Sequence, residues 1–299
     1  MLQRFNASTL QRFNASTLPE PPMSIDLNQH RVTVRTAGTH PVALSVIDVG
    51  PLNQAGRGTI VCVHGAAGRA IQWQKQIDVL ATDYRVVAPD LRGHGQSQVP
   101  DSAYSLEEFL WDLTQVLSAL QVAEPFILMA HSFGGPIAMT FAAANPQRVS
   151  KLILIATGPR MKLQPLQEAL FKSPLPLRYV EFLRPILYPK TYAPTMVIQR
   201  VLAGTLFRWD GYAVMPKIDV PTLLIAGHRD ALVPPDQVEA MQRDIPNLRV
   251  DTVRYTGHLV HLERPDAVNR YIERFLVGPR SWRDTDAIPT VSQNSLDKS

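Results

Sequence analysis

The chain has 299 residues, 45% of them hydrophobic and 19% charged, with a formal net charge of +4. That apolar share is ordinary for a globular protein and too high for a disordered one. A single cysteine, Cys62, excludes an intrachain disulfide and a thiolate zinc centre, and it fits a reducing, cytoplasmic setting.

No stretch approaches the roughly 18 apolar residues of a membrane helix. The basic residues form no dense run of the kind that grips nucleic acid. Residues 1–22 read as a tail containing a repeat: LQRFNAST stands at 2–9 and again, unchanged, at 10–17. An eight-residue period matches no solenoid unit, and the segment lacks the apolar centre of a secretory signal. Its Arg, Ser and Thr content weakly resembles an organellar transit peptide. The simpler reading is a tandem duplication or a start assigned too early, with Met23 as the natural start.

From about residue 29 strands and helices alternate. Residues 30–36 and 42–49 read as half-buried strands joined by a tight turn at Gly38 and Pro41. Thr59–Val63 is a short apolar run that fits a strand buried on both faces. A helix follows over 71–80 and a strand over 84–88. Residues 105–120 form a strongly periodic helix, with Ser105 as N-cap and Glu108 completing a capping box. A strand over 126–130, a helix over 133–144 and a strand over 151–156 come next. After an interruption the rhythm resumes: strand 222–226, helix 236–243, strand 248–253 and a last helix over 265–275. Such alternation implies a mostly parallel sheet covered by helices on both faces.

The interruption spans residues 159–216 and holds 8 of the chain's 25 prolines. Residues 161–215 carry 8 aromatics and 7 Lys or Arg against 3 Asp or Glu. Short helices broken by proline fit here, for example 176–184 and 195–207. The block reads as a small helical cap inserted between two parts of one core, 23–158 and 217–278. Residues 279–299 have little periodicity and read as a disordered tail.

The chemistry concentrates at Leu128-Met129-Ala130-His131-Ser132-Phe133-Gly134-Gly135. An apolar strand runs into a small-x-Ser-x-Gly turn and then a helix, which is nearly the G-x-S-x-G nucleophile elbow in its required context. Ala130 replaces the first glycine, and its methyl is expected to crowd the turn slightly. Taken alone, the same pattern also suits a serine that merely caps a helix.

Four further segments decide between these readings. They are Val61-Cys62-Val63-His64-Gly65-Ala66-Ala67-Gly68, Asp90-Leu91-Arg92-Gly93-His94-Gly95-Gln96-Ser97, Leu224-Ile225-Ala226-Gly227-His228-Arg229-Asp230, and Thr256-Gly257-His258-Leu259-Val260-His261-Leu262-Glu263-Arg264-Pro265. In this order they resemble the landmarks of the α/β-hydrolase superfamily over about residues 30–276. The resemblance implies an eight-stranded, mostly parallel sheet with a helical cap. It also implies a Ser–Asp–His triad of Ser132, Asp230 and His258.

A serine hydroxyl needs an adjacent base to become a nucleophile. His258 is the candidate base, and Asp230 would orient its imidazole. The backbone N–H groups of Ala66 and Phe133 are the candidate oxyanion hole. His261 also lies near the base position, but the glycine-preceded His258 matches the family motif. His64 and His131 read as loop-holding residues, Asp90 as a turn-fixing residue, Glu263 as an anchor for the last helix, and Cys62 as core.

The function implied is a cofactor-free, metal-free serine hydrolase that cleaves carboxylic esters of small or medium acyl groups. Its partner is a small-molecule substrate with an apolar acyl group, not nucleic acid. A nucleophilic Ser in place of Asp argues against the dehalogenase and epoxide hydrolase branches. The same triad also serves C–C bond hydrolases of ring-cleavage diketone acids, acyltransferases and haloperoxidase-like enzymes. A non-catalytic binding protein on this fold is a more distant alternative, since such members usually lose a triad residue.

Overall fold

The computed structural model describes residues 24–38, 41–52, 56–160 and 192–278. The tails expected at 1–22 and 279–299, most of the insertion expected at 159–216, and its helix at 176–184 lie outside the described residues.

Eight strands form one sheet: β1 Arg31–Arg35, β2 Ala43–Val49, β3 Thr59–Val63, β4 Arg85–Pro89, β5 Phe126–His131, β6 Val149–Ile155, β7 Thr222–Gly227 and β8 Leu248–Val253. Their order is β1-β2-β4-β3-β5-β6-β7-β8. The β1–β2 and β2–β4 pairs are antiparallel and the remaining pairs are parallel. The chain leaves β3 in one direction, to β4, and later leaves β5 in the other, to β6. The β3–β5 junction is therefore the switch point where a parallel sheet opens a crevice at its carboxyl ends.

Helices α1 Gln74–Leu80, α2 Leu106–Ala119, α3 Gly134–Ala144, α4 Thr195–Val201, α5 Pro235–Asp244, α6 Val260–Glu263 and α7 Pro265–Val277 accompany the sheet. Because strand side chains alternate, the inner strands feed two separate cores. Ile60, Cys62, Ile127, Met129, Ile153 and Ile155 face α1 and α7 through Ile77, Leu80, Val268, Ile272 and Phe275. Val61, Val63, Leu128, Ala130, Leu152 and Leu154 face α2, α3 and α4 through Phe109, Leu113, Ile137, Phe141, Val197 and Val201. Burial on both faces explains why β3 and β5 read as unbroken apolar runs.

The expected capping box is present on α2: Glu108 N–H donates to Ser105 Oγ at 3.4 Å, and Ser105 N–H donates to Glu108 Oε2 at 2.9 Å. Two expected helices are modified. The helix expected over 71–80 begins as a 3-10 turn, Ala70–Trp73, because Ala70 N–H is drawn 2.6 Å from Asp90 Oδ1. The helix expected over 195–207 is α4 followed by a π-turn, Leu202–Leu206. There Thr205 Oγ1 donates to the Tyr104 carbonyl at 2.9 Å, and Gly204 lies so close to the Ala103 and Tyr104 carbonyls that no Cβ fits.

One close approach positions everything that follows. A Cβ added to Gly134, the first residue of α3, would collide with the Val63 carbonyl at the end of β3. We expect Gly134→Ala to cost about 1–3 kcal/mol, as overpacking against rigid backbone does. Urea denaturation measures it, and a variant as stable as its parent would mean that the approach is slack.

Candidate active site

Ser132 follows β5 directly and adopts φ +52°, in the left-handed region that a side chain rarely enters. Its N–H donates to the Ile155 carbonyl at 3.0 Å, and its carbonyl accepts from Gly135 N–H at 2.8 Å. The turn is thus pinned to β6 on one side and to α3 on the other. Ala130 stands where the elbow pattern has glycine. It lies within β5, pairs with Val63 and Leu154, and its methyl is buried in the core beneath α3.

The structure brings the three sequence-predicted residues together. His258 Nε2 lies 2.7 Å from Ser132 Oγ, and His258 Nδ1 lies 2.9 Å from Asp230 Oδ2. The Asp230 side chain is 1% exposed and that of His258 21%. Asp230 sits just past β7. Its Oδ1 accepts the N–H groups of Leu232 at 2.9 Å and Val233 at 3.2 Å, which leaves Oδ2 for the imidazole. With a carboxylate at Nδ1, that nitrogen carries the proton, and Nε2 is free to accept from the serine hydroxyl.

The loop carrying His258 is built from backbone contacts. A Cβ on Gly227 would strike the Gly257 carbonyl, so the end of β7 must be bare for the loop to settle there. Arg229 N–H donates to the Thr256 carbonyl at 2.8 Å. Glu263 does not anchor the last helix, as the sequence suggested. Its Oε2 accepts Gly257 N–H at 2.9 Å, six residues back, and holds the His258 loop instead. His131 Nε2 lies 3.0 Å from the His258 carbonyl and supports that residue from behind.

The candidate oxyanion donors lie beside the serine. Gly65 packs on Ser132, since a Cβ added there would sit 3.1 Å from Ser132 Cβ. Among the described residues, neither Ala66 N–H nor Phe133 N–H has an acceptor in the protein. Ala66 is braced by His94, whose Nε2 lies 2.6 Å from its carbonyl. His64 holds the neighbouring turn: its Nε2 accepts Leu91 N–H at 3.0 Å, and its Nδ1 lies 2.8 Å from the Gly65 carbonyl.

Other residues take structural roles. Asp90 is a turn-fixing residue: its carboxylate accepts from Ala70 N–H, from Gln96 N–H at 3.0 Å and from Arg31 at 2.9 Å. Cys62 is fully buried, and burial drives its thiol far above the ordinary range. His261 packs between Trp73 and His131, its ring tilted against both, with centroids 5.0 and 4.3 Å away.

Two residues near the site escaped the sequence reading. Tyr192 donates its N–H to the Ala67 carbonyl at 2.9 Å and accepts Gly95 N–H at 3.0 Å, and Arg69 stacks on its ring. Tyr192 was one of eight aromatics in the insertion, with no spacing to single it out. Arg69 carried a signal: it directly follows the His-Gly-Ala-Ala-Gly segment.

Among the described residues, no group of three or more His, Cys, Asp and Glu is placed to hold a metal ion. None of their helices is long and apolar enough to cross a membrane.

The chain's likeness to known proteins agrees with this geometry. A model of the alpha/beta hydrolase family matches residues 60–271. A thermophilic esterase from Thermogutta terrifontis, solved with malate bound, is 27% identical with a TM-score of 0.67, over 82% of this chain and 97% of that one. The enol-lactonase of Burkholderia xenovorans shares the fold, with a TM-score of 0.66 at 22% identity, over 79% of this chain and 97% of that one. The uncharacterized hydrolase YugF of Bacillus subtilis is 26% identical over 256 residues, 74% of this chain and 90% of the relative.

Burial makes the histidines around the site pH-sensitive as a group. It pushes His64 down to about 4, with His94 adding to the shift. It pushes His261 down to about 3, with His258 adding to the shift, and His131 well below its ordinary value. Each ring is neutral in the folded protein at pH 6 and takes up a proton on unfolding, where the ordinary value near 6.5 applies. Their contribution to stability is therefore complete above about pH 6.5 and is lost as the pH falls toward 4. Denaturant titrations between pH 6 and 5 should show uptake approaching three protons per molecule unfolded, each worth about 1.4 kcal/mol per pH unit. Uptake of less than one proton would contradict this reading of the buried rings.

Proposed function

Because the chain belongs to the alpha/beta hydrolase family, we propose that it is a serine hydrolase cleaving carboxylic esters of small or medium acyl groups. The observation that carries this reading is the hydrogen-bonded chain Asp230–His258–Ser132, with separations of 2.9 and 2.7 Å. It lies at the carboxyl ends of β5, β7 and β8, beside two backbone N–H groups that have no acceptor among the described residues.

The reaction follows from these positions. Ser132 Oγ attacks the ester carbonyl carbon while His258 Nε2 takes its proton. Asp230 stabilises the imidazolium that forms and keeps its Nδ1 proton in place. Negative charge develops on the carbonyl oxygen, and the N–H groups of Ala66 and Phe133 receive it. Each such donor is worth roughly 10²–10³ in rate. Collapse breaks the ester C–O bond, and His258 protonates the departing alcohol. Water, deprotonated by the same nitrogen, then attacks the acyl-enzyme and releases the acid.

We further read residues 159–216 as a cap over this crevice. The described end of the segment supports that reading. Tyr192 is bound to the loop after β3, Trp209 Nε1 donates to Thr140 Oγ1 on α3 at 3.2 Å, and Val197 and Val201 enter the core beside α2.

The test is hydrolysis of a p-nitrophenyl ester series from acetate to palmitate. Wild type should turn over short or medium chains. Ser132→Ala should lose at least roughly 10³-fold in kcat, and Asp230→Asn about 10⁴-fold, as loss of a member of such a triad does. Equal turnover by wild type and Ser132→Ala would remove Ser132 as nucleophile. Absence of turnover of every ester by folded wild type would remove the esterase reading.

A further inference from the structure

Arginines withdrawn from water in this fold are matched to carboxylates. Arg31 meets Asp90 at 2.9 Å, Arg85 meets Asp48 at 2.7 Å, and Arg92, 1% exposed, meets both Glu108 and Asp112 at 2.7 Å. Such pairing is the rule, because a desolvated charge without a partner is costly.

Arg69 breaks the rule. It is half-buried, and among the described residues no carboxylate pairs with it. Its Nε is fully buried and has no hydrogen-bond partner. Its guanidinium lies 3.9 Å from the centroid of the Tyr192 ring. Stacking uses the face of the guanidinium and leaves the N–H edge, which matches a carboxylate in the plane. The ring beneath it is anchored in turn, since Tyr192 N–H binds the Ala67 carbonyl and the Tyr192 carbonyl binds Gly95 N–H. The guanidinium plane is therefore preset, and among the described residues no carboxylate meets its edge.

Its place in the chain ties it to the reaction. Gly65 touches Ser132, and Gly68 N–H donates to the Gly65 carbonyl at 2.9 Å. A turn so closed keeps its end Cα atoms within about 7 Å, and Arg69 is one step of about 3.8 Å further. A short acyl chain and an extended arginine side chain are together long enough to span that distance.

We propose that Arg69 is the anchor for a carboxylate on the substrate, so that the preferred esters carry a carboxylate a few atoms from the scissile carbonyl. The inference rests on the serine hydrolase reading for the reaction. It concerns binding alone, since Arg69 moves no proton and forms no covalent bond.

Two measurements separate the anchor from the chemistry. The first compares kcat/KM for mono-p-nitrophenyl glutarate and p-nitrophenyl valerate, acyl chains of the same length with and without the terminal charge. Wild type should prefer the glutarate by roughly 10- to 100-fold, the range of a hydrogen bond to a charged group. Arg69→Gln should bring the ratio near one, and Arg69→Lys should keep part of it. The second uses calorimetry with Ser132→Ala protein, which needs no turnover. It should bind monophenyl glutarate at least tenfold more tightly than phenyl valerate, and adding Arg69→Gln should erase the difference.

A wild type that shows no preference for the charged ester overturns the anchor without reference to any variant. So does an Arg69→Gln protein that keeps the full preference. If no ester is turned over while the binding difference holds, the esterase reading falls and the anchor stands.

Discussion

The site depends on one close approach, that of Gly134 to the Val63 carbonyl. With α3 seated that tightly on the end of β3, the chain between β5 and α3 has no room for a gradual turn. Ser132 takes φ +52° in consequence, a conformation that costs of order 1–3 kcal/mol. The surrounding core holds it there. All six residues of β5 are buried, and both neighbouring strands hydrogen-bond to it. The same constraint lifts Oγ out of the sheet edge, where an imidazole from the other half of the chain can reach it.

Around the serine, hydrogen bonding runs in one direction. Backbone N–H groups of Leu232 and Val233 saturate one oxygen of Asp230, so the other is left for His258. The His258 carbonyl faces His131 Nε2 at 3.0 Å, and the loop N–H at Gly257 is taken by Glu263. In this arrangement Nδ1 faces Asp230 and Nε2 faces Ser132 Oγ. The buried histidines nearby have their pKa values lowered by burial, so they add no competing positive charge. His94 is under opposed influences: burial lowers its pKa, while its two carbonyl partners, on Arg92 and Ala66, favour protonation.

Most of the sheet, and the residues that meet as Ser132, His258 and Asp230, were legible because their signals are local. Runs such as Thr59–Val63 and Phe126–Ala130 announce strands buried on two faces, and His131-Ser132-Phe133-Gly134 sits in a strand–turn–helix context. The family resemblance added the pairing of Asp230 with His258 across 28 residues. What escaped is what depends on tertiary approach. The break between α4 and the π-turn follows from Gly204 meeting the Tyr104 carbonyl, a contact that helical periodicity does not encode. Glu263 reads as an anchor for the last helix, which begins two residues later, although its carboxylate turns back to Gly257. Tyr192 and Arg69 meet across more than a hundred residues, and neither position carries a periodic or motif signal for the other.

The two proposed oxyanion donors share a feature that follows from the planar trans peptide, in which C=O and N–H point in opposite directions. Ala66 N–H belongs to the same peptide unit as the Gly65 carbonyl. That carbonyl is held from behind by Gly68 N–H at 2.9 Å and by His64 Nδ1 at 2.8 Å. Phe133 N–H belongs to the same unit as the Ser132 carbonyl, which Gly135 N–H holds at 2.8 Å. Neither peptide can rotate its N–H away from the crevice without breaking these bonds. Both donors are thus oriented before any substrate arrives, and little reorganisation remains to be done when charge develops on a carbonyl oxygen. His64 therefore acts on the site without touching it. Its Nε2 is fixed by Leu91 N–H at the end of β4, which forces its proton onto Nδ1 and toward the Gly65 carbonyl. The aim of the Ala66 donor is in this way tied to the placement of β4 beside β3.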